Sequence, residues 1–76
     1  MFYQIFEVSK DSNNIEMRKH IAFFEELENA YNYLVYSMNI QDCSLDVVKA
    51  QLFQWQEAYI DNYLIVQETF FRLVLL

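Results

Sequence analysis

The sequence predicts a mainly helical α+β domain, in which an N-terminal β-hairpin precedes two long antiparallel helices. Three observations favour this fold class: the chain has neither glycine nor proline, a polar turn cluster lies near its start, and apolar residues then recur at helical spacing. Hairpins and helix ends commonly rely on glycine for positive φ. A chain without glycine should contain few tight reversals, so we expect one domain, residues 1–76, built from a few long elements.

The N-terminal segment has the pattern of two strands joined by a turn. Residues 9–14 read Ser-Lys-Asp-Ser-Asn-Asn, and Asp, Asn and Ser stabilise turns through hydrogen bonds from their side chains to nearby backbone. After the turn, apolar and polar residues alternate, with Ile15, Met17 and Ile21 on one face and Glu16, Arg18 and His20 on the other. This period of two predicts a strand. We therefore predict a β-hairpin over residues 2–22.

The first helix is predicted over residues 24–39. Its apolar residues follow spacings of three and four: Phe24, Leu27, Tyr31, Leu34 and Met38. Three acids, Glu25, Glu26 and Glu28, fall in the first turn, where the helix dipole favours negative charge. Asn39 tolerates the left-handed conformation and is therefore a suitable last residue.

The second helix is predicted over residues 44–74. Its apolar residues fall within an arc of about 80° when drawn at 100° per residue: Leu45, Val48, Leu52, Trp55, Tyr59, Tyr63, Val66, Phe70 and Leu73. A strand is the alternative, because residues 63–66 and 69–74 are rich in branched and aromatic side chains and Asp61-Asn62 could form a turn. That alternative gives a ββα-α/β fold with a C-terminal strand around residues 63–74. We prefer the helix because its periodicity is sustained over so long a segment.

The charge balance favours a protein partner over nucleic acid. Eleven acids stand against five bases, which gives a net charge of −6 and a pI near 4.4. Nucleic-acid binding requires clustered Lys and Arg to neutralise phosphates, and the nearest approach to a cluster is Arg18-Lys19. Between His20 and Val48 lie five acids and no Lys or Arg. We therefore expect a protein partner with a basic surface and no direct contact with DNA or RNA.

The sequence offers no set of residues suited to catalysis or to a metal. His20 and Cys43 are the only residues of their kinds, and no motif surrounds either one. Acids at helical spacing, such as Glu25 with Glu28, have no histidine beside them and are typical of a solvated face. We therefore predict that the protein is not an enzyme and that it uses no cofactor or metal.

A cytoplasmic location without membrane attachment is expected. A single cysteine excludes an internal disulfide, and the first residues lack the basic start and apolar run of a signal peptide. The apolar run of residues 63–76 is interrupted by Gln67, Glu68 and Arg72 and is too short to span a bilayer.

The first predicted helix carries aromatic and aliphatic residues on the side opposite its apolar stripe. Tyrosine is common at interfaces because it combines an apolar ring with a polar tip. Acids and amides surround these residues, so we predict a partner-binding surface made of Tyr33, Tyr36, Glu25, Glu26, Asn29 and Ile40.

The second predicted helix has a second apolar stripe, which we interpret as a dimer seam. A helix that is apolar on two sides lies between neighbours, and a chain this short has few neighbours to offer. The predicted seam consists of Phe53, Ile60, Leu64 and Phe71. The alternative is a monomer in which the N-terminal hairpin covers this stripe.

These features together predict a small acidic protein-binding module that is homodimeric and that inhibits or adapts a larger protein. Its size and its glycine-free, aromatic-rich composition are typical of phage- or plasmid-type accessory proteins, including anti-defence proteins. The alternative function is a structural subunit of a larger assembly, with no separate activity. A third possibility is an enzyme or ligand carrier with a pocket between the hairpin and the helices.

Overall fold

The computed structural model describes residues 1–41 and 43–69 as an antiparallel sheet with short helices on one face. The four strands pair in the order β2-β1-β4-β3. The elements, in chain order, are β1 (Phe2–Lys10), β2 (Glu16–Phe24), α1 (Leu27–Asn32), a π turn (Tyr33–Ser37), α2 (Leu45–Trp55), β3 (Glu57–Ile60) and β4 (Tyr63–Glu68). The prediction of a mainly helical protein with two long helices is therefore wrong.

The N-terminal hairpin is present and extends slightly further than residues 2–22. Its loop, residues 11–15, is held by the carboxylate of Asp11, whose Oδ1 accepts the backbone N–H groups of Asn13 at 2.8 Å and Ile15 at 3.0 Å. Asn14 completes the reversal with a φ of 62°. These are the turn interactions that the Asp- and Asn-rich sequence predicts.

The helix predicted over residues 24–39 is replaced by three shorter pieces. Phe24 is the last residue of β2 and pairs with Tyr3, so the apolar stripe begins on a strand. α1 has only six residues, and the π turn follows it directly. The spacing of three and four does indicate the inward side of this segment, because Leu34 is fully buried and Phe24, Leu27, Tyr31 and Met38 pack against the core. It does not distinguish one continuous helix from a strand, a helix and a wider turn.

The helix predicted over residues 44–74 ends at Trp55. Gln56 adopts a left-handed conformation with a φ of 59°, and its N–H donates to the carbonyl of Leu52 at 2.9 Å. β3 and β4 follow as a second hairpin, reversed at Asp61, whose φ is 51°. The strand propensity of this region outweighs its helical periodicity because β1 offers β4 a partner along its length. β4 lies in the range of the alternative C-terminal strand, of which residues 70–74 lie outside the described residues.

The absence of glycine does not prevent tight reversals. Within residues 1–41 and 43–69, positive φ values occur at four non-glycine residues, each next to a change of direction: Asn14, Asn39, Gln56 and Asp61. Asn and Asp tolerate this region because their short polar side chains form local hydrogen bonds. The inference from missing glycine to long helices was therefore wrong, since three of these four residues are Asn or Asp.

The hydrophobic core lies between the sheet and the helices. Ile5 of β1 is paired with Ile65 of β4, and Ile65 is paired in turn with Ala58 of β3. Paired residues share a face of the sheet, and all three side chains are fully buried. The helical segments cover this face with the buried side chains Ala30, Leu34, Val48 and Leu52.

The other face of the sheet, which we call the open face, carries a polar link between the two edge strands. Arg18 of β2 contacts Glu57 at 3.5 Å and donates to the hydroxyl of Tyr59 at 3.1 Å, and both of these residues belong to β3. β1 and β4 separate β2 from β3, so these side chains meet above the two central strands. Leu64 lies on the same face, opposite Tyr59, and is fully buried.

Candidate protein-binding surface

The helical segment that follows β2 has one buried and one exposed side. Ala30 and Leu34 anchor it to the core, and Leu27 and Tyr31 pack beside them. The exposed side consists of Glu28, Asn29 and Asn32 on α1 and of Tyr36 in the π turn, and the exposed Glu25 lies just before the helix. We call this set, together with the exposed Glu26, the acidic helical face.

Tyr36 is the most prominent side chain of the acidic helical face. It is 80% exposed, although it lies only two residues after the fully buried Leu34. Residues two apart on a helix lie on nearly opposite sides. Tyr36 belongs to the π turn, in which the N–H of Met38 donates to the carbonyl of Tyr33 at 3.2 Å and closes a turn wider than that of an α-helix. Isolated π turns are rare and are frequent at functional sites.

Contrary to the prediction, Tyr33 does not project into solvent beside Tyr36. Its ring lies 5.4 Å from that of Phe24 at an interplanar angle of 50°, and it packs against the core. Ile40, the other apolar residue of the expected surface, is buried, and its N–H donates to the carbonyl of Leu34 at 3.1 Å. The structure therefore keeps Tyr36, Glu25, Glu26 and Asn29 together and moves two expected members inward.

The acids of this face are not neutralised within the described part of the chain. Glu25, Glu26 and Glu28 are all exposed, and within residues 1–41 and 43–69 none of them forms an ion pair. Arg18 is engaged elsewhere, because it contacts Glu16 at 2.7 Å and Glu57 at 3.5 Å. Among the described residues, the acidic helical face therefore has no cation paired with its acids, and an exposed tyrosine ring lies beside them.

The sequence reasoning missed two members of this surface, Glu28 and Asn32. Both lie on the exposed side of α1, in line with Tyr36. Counting back from Tyr36 in steps of 3.6 residues would have included them.

The residues of the expected dimer seam do not share a surface. Phe53 is 92% exposed on α2, whereas Ile60 is buried on β3 and Leu64 is buried on β4. Phe71 lies outside the described residues. The prediction of a seam depends on one long helix, whereas α2 ends at Trp55 and the described residues that follow form β3 and β4.

Cys43 and His20 are the two residues considered for catalysis, and their contacts are of a structural kind. Burial and the nearby charge of Asp61 raise the pKa of the Cys43 thiol, which disfavours a thiolate. The carbonyl of Cys43 accepts the hydroxyl of Tyr31 at 2.7 Å, so the residue helps to fasten the loop before α2. His20 is exposed, and its ring meets the edge of Phe6 at 5.3 Å. Among the described residues, no group of three or more His, Cys, Asp or Glu side chains is arranged to hold a metal.

Comparisons with protein-family models, with curated proteins and with solved structures find no match for this chain. Its surfaces therefore have to be interpreted from their own chemistry. Within the described part of the chain, no helix has both the length and the apolar character needed to cross a membrane.

Proposed function

We propose that this protein is a small acidic protein-binding module whose acidic helical face receives a basic surface of a larger protein. The observation that carries the proposal is Tyr36, which is 80% exposed beside three acids that have no ion-pair partner among the described residues. An exposed tyrosine surrounded by uncompensated charge is typical of an interface anchor with a charged rim.

The two parts of the face have different roles in this proposal. The ring of Tyr36 supplies apolar area and a hydroxyl at low entropic cost, so it sets how slowly the complex dissociates. Glu25, Glu26 and Glu28 attract a basic surface from a distance, so they set the association rate and its dependence on salt. Binding of a 9.3 kDa chain would inhibit or adapt the partner by occupying its basic surface. We assign this action to the cytoplasm, where a lone thiol such as Cys43 stays reduced.

Photocrosslinking from the face tests the proposal directly. A photoreactive phenylalanine analogue replaces Tyr36 in cells that naturally make the protein, and crosslinked species are identified by mass spectrometry. The matched control carries the same analogue at Ile15, which is 59% exposed at the end of the loop between β1 and β2. We expect a basic protein to be captured from position 36 and not from position 15.

The captured protein then allows affinity to be measured with purified components. Tyr36→Ala should weaken binding by about 2 kcal/mol, roughly thirtyfold in Kd. Glu25→Gln together with Glu28→Gln should lower the association rate and flatten its salt dependence, whereas Glu7→Gln, at an exposed acid on β1, should change neither. Wild-type affinity and salt dependence in both the tyrosine variant and the double glutamine variant would refute the proposal.

A further inference from the structure

The exposed side of α2 carries an apolar ridge. Val47, Ala50 and Phe53 are all exposed, with Val47 at 56% and Phe53 at 92%. Residues three apart on a helix form one continuous row of side chains. The core contacts of α2 are made by Val48 and Leu52, on a different side of the helix. We call the row Val47, Ala50 and Phe53 the α2 ridge.

The α2 ridge is self-complementary in shape. Ala50 lies at its midpoint, with a large residue three positions after it and a medium one three positions before it. A two-fold axis through Ala50 and perpendicular to the ridge puts Phe53 of each copy on Val47 of the other. Alanine at the axis lets the two helix backbones approach closely, and pairing of such rows gives a steep crossing angle.

A pocket lined in part by Val47 lies beside the position that this axis assigns to the partner's phenyl ring. It has a volume of about 220 Å³ and lies between the first half of α2 and the end of β3. Its lining includes Val47, Val48, Gln51 and Ile60. Phe53 is the most exposed large apolar side chain in the described part of the chain, and the axis through Ala50 brings it to Val47 of the other copy.

The charges around the ridge are suited to a second copy of this acidic chain. The protein carries a net charge of −6, so most of its surfaces would repel an identical copy. α2 is different, because Asp46 and Lys49 are both exposed beside the ridge and balance each other. The acidic helical face, by contrast, would bring six glutamates together across a two-fold axis.

We propose that the α2 ridge is the interface of a homodimer, with Phe53 of each chain inserted beside Val47 of the other. The surface is separate from the acidic helical face, so this inference does not depend on the proposed function. A helix of 11 residues offers less than the roughly 800 Å² per chain of a standard interface, so the dimer dissociates in the micromolar range.

Sedimentation velocity over a concentration series tests the dimer. The mass of the wild type should rise from 9.3 kDa towards twice that value as concentration increases through the micromolar range. Ala50→Glu places two like charges at the axis and should keep the protein monomeric, with an unchanged circular dichroism spectrum. Asn32→Glu adds the same charge on exposed α1 and should dimerise like the wild type. A wild type that stays monomeric, or an Ala50→Glu variant that still dimerises, overturns the proposal.

A crosslinking measurement covers the case in which Ala50→Glu fails to fold. In a Cys43→Ser background, Ala50→Cys should form a disulfide-linked dimer under mild oxidation, because residues at a two-fold axis meet their own copies. Asn29→Cys in the same background is the control and should remain mostly monomeric. Equal crosslinking of the two variants, or none at residue 50, contradicts the proposed axis.

Discussion

Several changes of chain direction in this fold depend on the backbone conformation of a single residue. Asn14, Asn39 and Asp61 adopt positive φ with side chains that tolerate it, whereas Gln56 does so at 59° without that advantage. Gln56 follows the last residue of α2, and its carbonyl accepts the N–H of Gln67 on β4 at 2.9 Å. The chain therefore accepts an unfavourable backbone conformation where a helix must turn directly into the sheet.

Gln56→Gly should stabilise the protein by about 0.5–1 kcal/mol, because glycine has no Cβ to oppose the left-handed conformation. Chemical denaturation monitored by Trp55 fluorescence measures the change. Gln54→Gly is the matched control and should destabilise by a similar amount, because residue 54 lies inside α2. Destabilisation by Gln56→Gly would show that the glutamine side chain has a favourable role.

Glu16 shows how one contact changes the titration of a side chain. A hydrogen bond from Arg18 lowers the pKa of Glu16 below its usual value, and the charge of Arg18 and a hydrogen bond from Tyr59 act in the same direction. A lowered pKa means that the folded state binds a proton less readily than the unfolded state. This contribution to stability is therefore present above the ordinary pKa of glutamate and is lost as the pH falls through the lowered value.

Arg18→Gln should return the pKa of Glu16 towards its ordinary value. The titration of the Glu16 side chain, followed by NMR between about pH 2 and pH 7, measures the change. The same variant should reduce the loss of stability on acidification, because the paired carboxylate no longer depends on its arginine. An unaltered Glu16 titration in this variant would show that Arg18 is not the cause of the shift.

The two sides of α2 make the clearest contrast between neighbouring residues of one element. Leu52 is 2% exposed in the core, and Phe53, the next residue, lies almost wholly in solvent. Leu52→Ala should destabilise the protein by about 2–5 kcal/mol, as large-to-small core substitutions do. Phe53→Ala, measured at a concentration where the chain is monomeric, should change the unfolding free energy by about 0.5 kcal/mol or less. A larger effect of Phe53→Ala than of Leu52→Ala would show that Phe53, and not Leu52, faces the core.

At the scale of elements, the two edge strands of the sheet are protected from further strand pairing in different ways. β3 has four residues, and the N–H of Tyr59 donates to the side-chain carbonyl of Gln51 on α2 at 3.1 Å. α2 therefore satisfies part of an edge that would otherwise face solvent. The other edge, β2, has nine residues and carries Arg18 and Lys19, whose charges discourage pairing with another strand.

Gln51→Ala should make the Tyr59 amide exchange with solvent roughly fivefold faster, the factor that corresponds to about 1 kcal/mol for one hydrogen bond. Hydrogen exchange by NMR measures this rate. Gln54→Ala, on the exposed side of the same helix, should leave the Tyr59 amide unchanged. Equal rates in the wild type and in Gln51→Ala would remove Gln51 from its role at the edge.

At the scale of the whole molecule, stability is concentrated in the middle of the sheet. β1 pairs with β2 along one side and with β4 along the other, so the two central strands are hydrogen-bonded on both sides. α1 and the π turn are short, and their outward side faces solvent. The protein therefore combines a well-supported sheet with a less constrained segment that carries the acidic helical face.

Native-state hydrogen exchange should reflect this distribution. The slowest amides are expected in β1 and β4, because they exchange only when the sheet opens as a whole. The amides of α1 and the π turn should exchange faster through local opening. Slowest exchange in α1 would mean that the helical segment, and not the sheet, forms the stable centre of the fold.

The sequence determined the local features of this protein. The Asp- and Asn-rich turn after β1 follows from side-chain chemistry within five residues, and the structure contains its hydrogen bonds. Glu25, Glu26 and Glu28 are exposed as acids usually are, and Leu34, Val48 and Leu52 of the two predicted apolar stripes are buried. These features depend on neighbours in the chain, so a sequence pattern is sufficient to find them.

Only the tertiary structure decided what residues 56–68 become. Their apolar spacing fits a helix and their branched side chains fit a strand, so local preference leaves both states open. β4 becomes a strand because β1, about sixty residues away in sequence, pairs with it from Phe2 to Glu7. The same pairing places Leu64 and Ile65 on opposite faces of the sheet, where both are buried. The spacing of apolar residues in a sequence does not reveal long-range hydrogen bonds. In this protein those bonds determine both the fold and the surfaces available for binding.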